Sequence, residues 1–221
     1  LTISGKGKMA DYYWPNNTPW GTDITKVTIK DGVTHIGDFA FLDCMKLKSV
    51  DIGNSVKSIG MVAFCNCEGL TSIVIGNSVT DIGNYAFEDC EGLKSVVIGN
   101  SVKSIGNCAF YGCEKLLSVV IPKSVTSIGE KALGCYASSS ANGYSKVSGF
   151  TIKGYKGTAA EKYAKDYGFT FVALVSTPKI SKVENVVGGV KITIGKVNGA
   201  AKYRYYRKTG SGSWQKLDDT A

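Results

Sequence analysis

NSVKSIGMVAFCNCEGLTSIVIG (54–76) runs without a gap into NSVTDIGNYAFEDCEGLKSVVIG (77–99) and NSVKSIGNCAFYGCEKLLSVVIP (100–122), three rows of 23 residues. The row before them, DGVTHIGDFAFLDCMKLKSVDIG (31–53), keeps the same positions. DITKVTIK (23–30) is the second half of one more row, and KSVTSIGEKALG (123–134) begins a fifth. What recurs is apolar or small. Val33, Val56, Val79, Val102 and Val125 form one column, and Ile36, Ile59, Ile82, Ile105 and Ile128 another. Ala40, Ala63, Ala86, Ala109 and Ala132 form a third, followed by Phe41, Phe64, Phe87 and Phe110. Leu47, Leu70, Leu93 and Leu116 come next, then Val50, Ile73, Val96, Val119 and Ile52, Ile75, Ile98, Ile121. Some eight apolar side chains per row, at ~1.5–3 kcal/mol each, offer about 12–24 kcal/mol when buried. Ordering a row costs about 1–2 kcal/mol per residue, a similar or larger sum. One row therefore cannot fold alone. Stacked rows bury each other's columns, which is the condition for a solenoid.

The pattern within a row places the elements. SVDI, SIVI and SVVI alternate, so Val50 and Ile52 point inward while Ser49 and Asp51 point outward. These strands are expected to stack in parallel into one sheet. The SVxSIG piece alternates as well and predicts a second short strand. Its glycine column, Gly37, Gly60, Gly83, Gly106 and Gly129, suggests a corner with unusual backbone angles. The xxAFxxC piece predicts a short helical turn with Ala, Phe and Cys on one face.

The four copies of IGxxAFxxCxxLxSVxI, with Ile73 in place of the valine in the second, resemble the BspA-like class of leucine-rich repeats, found in bacterial surface proteins. The resemblance covers about residues 1–174 and implies a curved, right-handed solenoid that binds other macromolecules and has no catalytic residues. LTISGKGKM (1–9) is similar to the N-terminal segment of such proteins, and GYKGTAAEKYAKDYGFTFVAL (154–174) to their endings. An open solenoid end exposes its core, so Tyr12, Tyr13, Trp14 and Trp20 are expected to cover the first coil. At the other end 135–149 is a polar insertion. Phe150-Thr151-Ile152 resumes as a strand. Thr158 and Glu161 predict a capping box opening a helix that Gly168 stops, with a last strand from Phe169 to Leu174. Beyond VSTPKI (175–180), read as a linker, strands are expected in GVKITIGKV (189–197), AKYRYYRKT (201–209) and SWQKL (213–217), the last two joined by Gly210-Ser211-Gly212. GVKITIGKVNGAAKYRYYR resembles the B and C strands of fibronectin type III modules, with Ile194 where that family usually has tryptophan. The expected architecture is thus an α/β, β-rich leucine-rich repeat solenoid with two caps (1–174), then a partial all-β sandwich (175–221).

Composition narrows the chemistry. The chain has 26 basic and 18 acidic side chains, a formal net charge of +8. Residues 31–122 carry 6 bases against 10 acids, net −4, and the positive excess lies toward the C-terminus. The charge therefore belongs to no single surface, and no nucleic-acid partner is expected. AKYRYYRK (201–208) is the nearest approach to a basic-aromatic face, and strand alternation separates its charges from its core aromatics. No apolar run approaches the ~18 residues a bilayer span needs, so membrane insertion is not expected either. The single histidine, His35, removes every site needing two imidazoles. It stands where other rows have Ser58, Asp81, Ser104 and Ser127, a variable polar position best read as solvent-facing. A Ser–His–Asp site would need partners that the pattern does not identify. Cys44, Cys67, Cys90 and Cys113 repeat with the row, which reads as a ladder of buried free thiols rather than a metal set. Cys65-Asn66-Cys67 is a lone CxC, and Cys108 with Cys135 is the nearest candidate for a bridge. Glu88, Asp89 and Glu91 lack calcium-loop spacing, and Gly5-Lys6-Gly7-Lys8 lacks the rest of a P-loop. Asn16-Asn17-Thr18 matches a glycosylation sequon. No cofactor is expected.

What remains is the outward side of the strands, which in the resembling family lines the concave face. Lys26, Ser49, Ser72, Ser95 and Ser118 form one column, and Thr28, Asp51, Val74, Val97 and Val120 the next. Three outward valines beside a serine ladder make an apolar stripe, a pattern typical of contact surfaces. The resemblance implies a non-enzymatic, secreted or cell-surface bacterial protein. Its partner would be an extracellular protein or cell-surface ligand, host matrix included. The alternative is an accessory glycan-binding or spacer region of a larger carbohydrate-active surface protein. Glycan is less favoured because these columns contain no aromatics.

Overall fold

The computed structural model describes residues 1–13, 18–139 and 143–175, together with the strands that lie within 180–220. The chain forms two compact units, Leu1–Val172 and Ala173–Ala221. In the first, the chain visits two lanes in turn. Its strands are β1 (Thr2–Ile3), β2 (Gly7–Lys8), β3 (Lys26–Ile29), β4 (Val33–Ile36), β5 (Ser49–Ile52), β6 (Ser58–Ile59), β7 (Ser72–Ile75), β8 (Asp81–Ile82), β9 (Ser95–Ile98), β10 (Ser104–Ile105), β11 (Ser118–Val120) and β12 (Ser127–Ile128). The even-numbered strands form one continuous six-stranded parallel sheet, β12-β10-β8-β6-β4-β2. Its register sets Ser58 opposite Asp81 and Ile59 opposite Ile82, one row apart.

The odd-numbered lane was expected to be one sheet, and it forms three hydrogen-bonded segments: β1-β3-β5, β7-β9, and β11 with the C-terminal strands. Two local features mark the interruptions. A Cβ placed on Gly76 at the end of β7 would meet nothing within 4 Å, whereas one on Gly99 or Gly53 would strike the preceding coil, so the coils stand apart at Gly76. After β11, Pro122 replaces the glycine of the other rows and has no N–H to give.

Between the lanes the core fills as the columns require. All the Val, Ile, Ala, Phe and Leu columns from row one to row four are buried but for Ile52, which is half-buried. Phe41, Phe64, Phe87 and Phe110 stack with ring centroids 5.0, 5.2 and 5.1 Å apart. Trp20 extends this stack below Phe41 at 5.6 Å, and its indole N–H donates to the Ala40 carbonyl at 3.0 Å. Tyr12 meets Trp20 edge-on. Tyr13, expected in the same cap, is 69% exposed, and Trp14 lies outside the described residues.

Two expectations about the corners are corrected. The xxAFxxC piece forms consecutive turns, not a helical turn. Every second N–H finds its partner on the next coil: Phe39 on the Met61 carbonyl, Phe41 on Ala63 and Asp43 on Cys65, at 2.9, 2.8 and 3.0 Å, while Ala40, Leu42 and Cys44 make longer local bonds to Gly37, Phe39 and Phe41. The same three inter-coil bonds recur from Val62, Phe64 and Asn66. The glycine column does not supply left-handed backbone. That falls on Phe39, Val62, Tyr85, Cys108 and Lys131, two residues later, with φ of 52–58°. The glycines are needed because the coils touch there: a Cβ on Gly83 would lie 2.6 Å from the Gly60 carbonyl carbon, and one on Gly106 equally close to Gly83.

The seven cysteines are free thiols, all buried except the half-buried Cys108. Cys67, Cys90 and Cys113 donate to the carbonyls of Phe41, Phe64 and Phe87 at 3.1–3.3 Å. The thiol thus satisfies a buried acceptor of the coil below.

At the far end the insertion folds as an antiparallel hairpin of β13 (Cys135–Ala137) and β14 (Tyr144–Lys146). β15 (Thr151–Gly154) then joins β11 in parallel. Helix α1 (Ala159–Tyr167) ends at Gly168 in the left-handed conformation, as expected, and β16 (Thr170–Ala173) pairs with β15. The capping box is not formed as drawn. The Thr158 hydroxyl donates to the Tyr155 carbonyl, and Glu161 accepts from the Gly157 N–H, one residue further out. Tyr163 both receives from the Leu133 N–H and donates to its carbonyl, at 2.9 and 3.0 Å, fixing α1 against the last coil.

In the second unit, β17 (Ile180–Val186) pairs antiparallel with β18 (Gly189–Ile194), and β19 (Tyr203–Arg207) with β20 (Gln215–Thr220). β17 was not foreseen. Its register shifts between Ile180 and Lys182, and such a bulge breaks the alternation that would reveal a strand. Gly210-Ser211-Gly212 lies outside the described residues.

Candidate binding face

The odd-numbered strands present every second side chain outward. Val27, Val50, Ile73, Val96 and Val119 are buried, and their neighbours on either side face solvent. Lys26, Ser49, Ser72 and Ser95 are exposed, while Ser118 is half-buried. In the next column Thr28 is half-buried and Asp51, Val74, Val97 and Val120 are exposed. The register aligns Lys26 with Ser49 and Thr28 with Asp51, and then Ser72 with Ser95 and Val74 with Val97. The three valines are 61, 53 and 47% exposed, high values for β-branched side chains within strands.

The face has a polar half and an apolar half. Toward the N-terminus Lys26 and Asp51 form an ion pair at 3.2 Å across neighbouring strands. Toward the C-terminus the valine stripe ends at Lys153, which lies opposite Val120 in the β11–β15 register. Leu117, just before β11, adds a further exposed apolar side chain. The face also runs on, beyond the residues expected, to Thr2, opposite Thr28, and to Thr151 and Lys153, opposite Ser118 and Val120. The alternation Thr151-Ile152-Lys153 carried that signal, hidden by the insertion that breaks the row.

His35 is placed differently from expectation. Its side chain is only 19% exposed. Nδ1 lies 2.7 Å from the Ser58 hydroxyl, one row on, and Nε2 lies 3.5 Å from Asp11. The structure therefore brings a serine and an aspartate to the histidine. The carboxylate is too distant for the short bond that fixes a catalytic imidazole in one tautomer. In the acidic run, Glu88 and Asp89 are half-buried and Glu91 is exposed. Burial pushes Asp89 up, and Glu91, Glu114 and Glu68 push it further. Burial also raises Glu88, with Asp89 adding to it.

The BspA type leucine-rich repeat region, a family model with six copies, matches residues 15–140. The chain belongs to this family. Among solved structures, this BspA-type chain is similar to a leucine-rich repeat protein from Bacteroides ovatus, at 32% identity over 49% of this chain and 34% of that one (TM-score 0.38). It is similar to a leucine-rich cell surface protein from Faecalibacterium prausnitzii, at 22% identity over 69% and 62% (TM-score 0.39). It also resembles the pneumococcal vaccine antigen PcpA, at 19% identity over 68% and 36% (TM-score 0.45). The chain thus spans about a third of the Bacteroides protein and under two thirds of the Faecalibacterium one. No curated protein matches it. Among the described residues, no helix is long and apolar enough to cross a membrane.

Proposed function

We propose that the chain is a non-enzymatic binding module of a secreted or cell-surface bacterial protein. Its strand face would hold an extracellular protein or cell-surface ligand, host matrix included. The observation that carries this reading is the stripe of Val74, Val97 and Val120, solvent-exposed on consecutive coils beside exposed serines. Soluble proteins rarely leave such side chains contiguous without a contact for them. At the exposures observed, covering all three stabilises a complex by about 2–3 kcal/mol. That is ~30- to 150-fold in Kd. The alternative, an accessory glycan-binding or spacer region, has less support. Of the N-terminal aromatics, Trp20 packs on Phe41 and Tyr12, which leaves Tyr13 as the exposed ring among the described ones.

The second unit is proposed as part of a fibronectin type III-like module. In such sandwiches the first two strands pair in one sheet and the third opens the other, and the β17–β18 and β19–β20 hairpins follow that order.

A panel of immobilised matrix proteins and a glycan array, probed with the whole chain, tests the reading. Binding to a matrix protein that weakens ~30- to 150-fold when Val74, Val97 and Val120 are replaced by Lys supports it. Binding that survives the replacement refutes the face, and a glycan signal alone favours the alternative.

A further inference from the structure

The rows are near-copies, so a place where one row departs from the others at several positions and the departures meet in space is informative. Row one has such a place. His35 replaces the serine or aspartate of the other rows, and Asp38 stands where they have Met61, Asn84, Asn107 and Glu130. Asp11, from the N-terminal segment outside the repeats, reaches the same spot. One ligand atom from each of Asp11, His35 and Asp38 can be chosen so that all lie within 4.8 Å of one another.

The arrangement has the parts of a cation site. The Ser58 hydroxyl at 2.7 Å holds Nδ1 and orients the ring, as outer partners of metal-bound imidazoles do. Nε2 is left facing carboxylates. Its 3.5 Å separation from Asp11 Oδ1 exceeds an ordinary hydrogen bond. It matches the roughly 3.3 Å edge between ligands bound ~2.0–2.1 Å from one tetrahedral ion. Asp11 Oδ1 accepts from the Asp38 N–H and Asp38 Oδ1 from the Met61 N–H, so backbone holds each carboxylate in place beside the ring. Asp11 is 52% exposed, which leaves an approach from solvent.

The geometry points to a binding site for a divalent transition metal, with zinc as the reference ion, formed by Asp11, His35 and Asp38 and completed by water. The ion would clasp the N-terminal segment to the first coil. This assignment is independent of the strand-face reading.

The test uses the repeat's own residues. His35→Ser and Asp38→Asn install what other rows carry at those positions, so the variants should fold, and far-UV circular dichroism checks that they do. Zinc is titrated into the full chain against a chromophoric chelator, and cobalt(II) reports the ligand set by its absorption. The expected result is saturable one-to-one zinc binding, weakened at least ~10-fold in each variant, with no thiolate-to-cobalt band. The assignment is overturned by no saturable binding, by equal binding in both folded variants, or by a thiolate band, which would place the ion on cysteine.

Discussion

Gly76 and Gly99 occupy the same position in consecutive coils, yet alanine should act on them with opposite sign. Neither has left-handed backbone, so no conformational strain is added at either. A Cβ on Gly99 would lie 2.6 Å from the Gly76 carbonyl carbon and 2.9 Å from the Asn77 nitrogen. Both are backbone atoms of the preceding coil and cannot turn aside. Overpacking of this kind costs about 1–3 kcal/mol. A Cβ on Gly76 would meet nothing within 4 Å, because the ladder between β5 and β7 is interrupted there. Alanine then acts through the unfolded chain, whose entropy it reduces, and stabilises by about 0.4–1 kcal/mol. The two variants should therefore differ by about 1.4–4 kcal/mol. Urea unfolding of the full chain, followed by circular dichroism, measures this as a shift in midpoint at constant slope. A neutral Gly99→Ala, or a Gly76→Ala as destabilising as Gly99→Ala, would refute both the close coil approach at Gly99 and the gap at Gly76.

Asp89 is held above the ordinary carboxylate value of 3.8 by burial and by Glu91, Glu114 and Glu68. A raised acid favours the fold while protonated and costs stability once pH rises through its folded value. Asp89→Asn should therefore raise the urea midpoint at pH 7, and the gain should vanish as pH falls below 3.8; a gain independent of pH contradicts the cause given. Asn66 already occupies this left-handed position in row two, so the change brings no new strain. Thiol titration in denaturant should count seven free cysteines and in the native chain at most Cys108. Burial and Asp43 push Cys44 up to about 12, and burial then Cys108 push Cys135 to about 11; five or fewer thiols in denaturant would establish a bridge.

The inward half of this molecule was legible because a strict period fixes which side chains share a column, and stacking turns each column into core. The corners were not. A helical turn was the natural reading of xxAFxxC, since local hydrogen bonds are the only ones a sequence window can suggest. Only every second bond is local, and the shorter ones between them run to the next coil, 22 residues away, from Phe39 to Met61 and from Phe41 to Ala63. They also explain how Phe39, Val62 and Tyr85 tolerate left-handed backbone, which costs roughly 1–2 kcal/mol for a side chain of that bulk. The same residues donate those inter-coil bonds, each contributing about 0.5–1.5 kcal/mol and sparing a donor from burial unpaired. His35 was misjudged for a related reason. Comparison among rows identifies a variable position, but its neighbours Ser58 and Asp11 lie one row on and before the repeats.

The energetic limits of the strand face bear on how it would be used. A stripe contributing about 2–3 kcal/mol falls well short of the ~8 kcal/mol of a micromolar complex. The remainder must come from residues around it or from more than one copy engaged at once. The face supplies some of the former: the Lys26–Asp51 pair bounds the stripe on one side and Lys153 on the other, a polar rim of the kind that surrounds a contact core. Repetition favours the latter. The rows that carry the valines differ little in their outward residues, so a ligand displaced by one coil meets nearly the same surface. Used as proposed, such a face would give weak register and would favour extended or repetitive partners held by several copies, where effective concentration rather than single-site fit sets the strength.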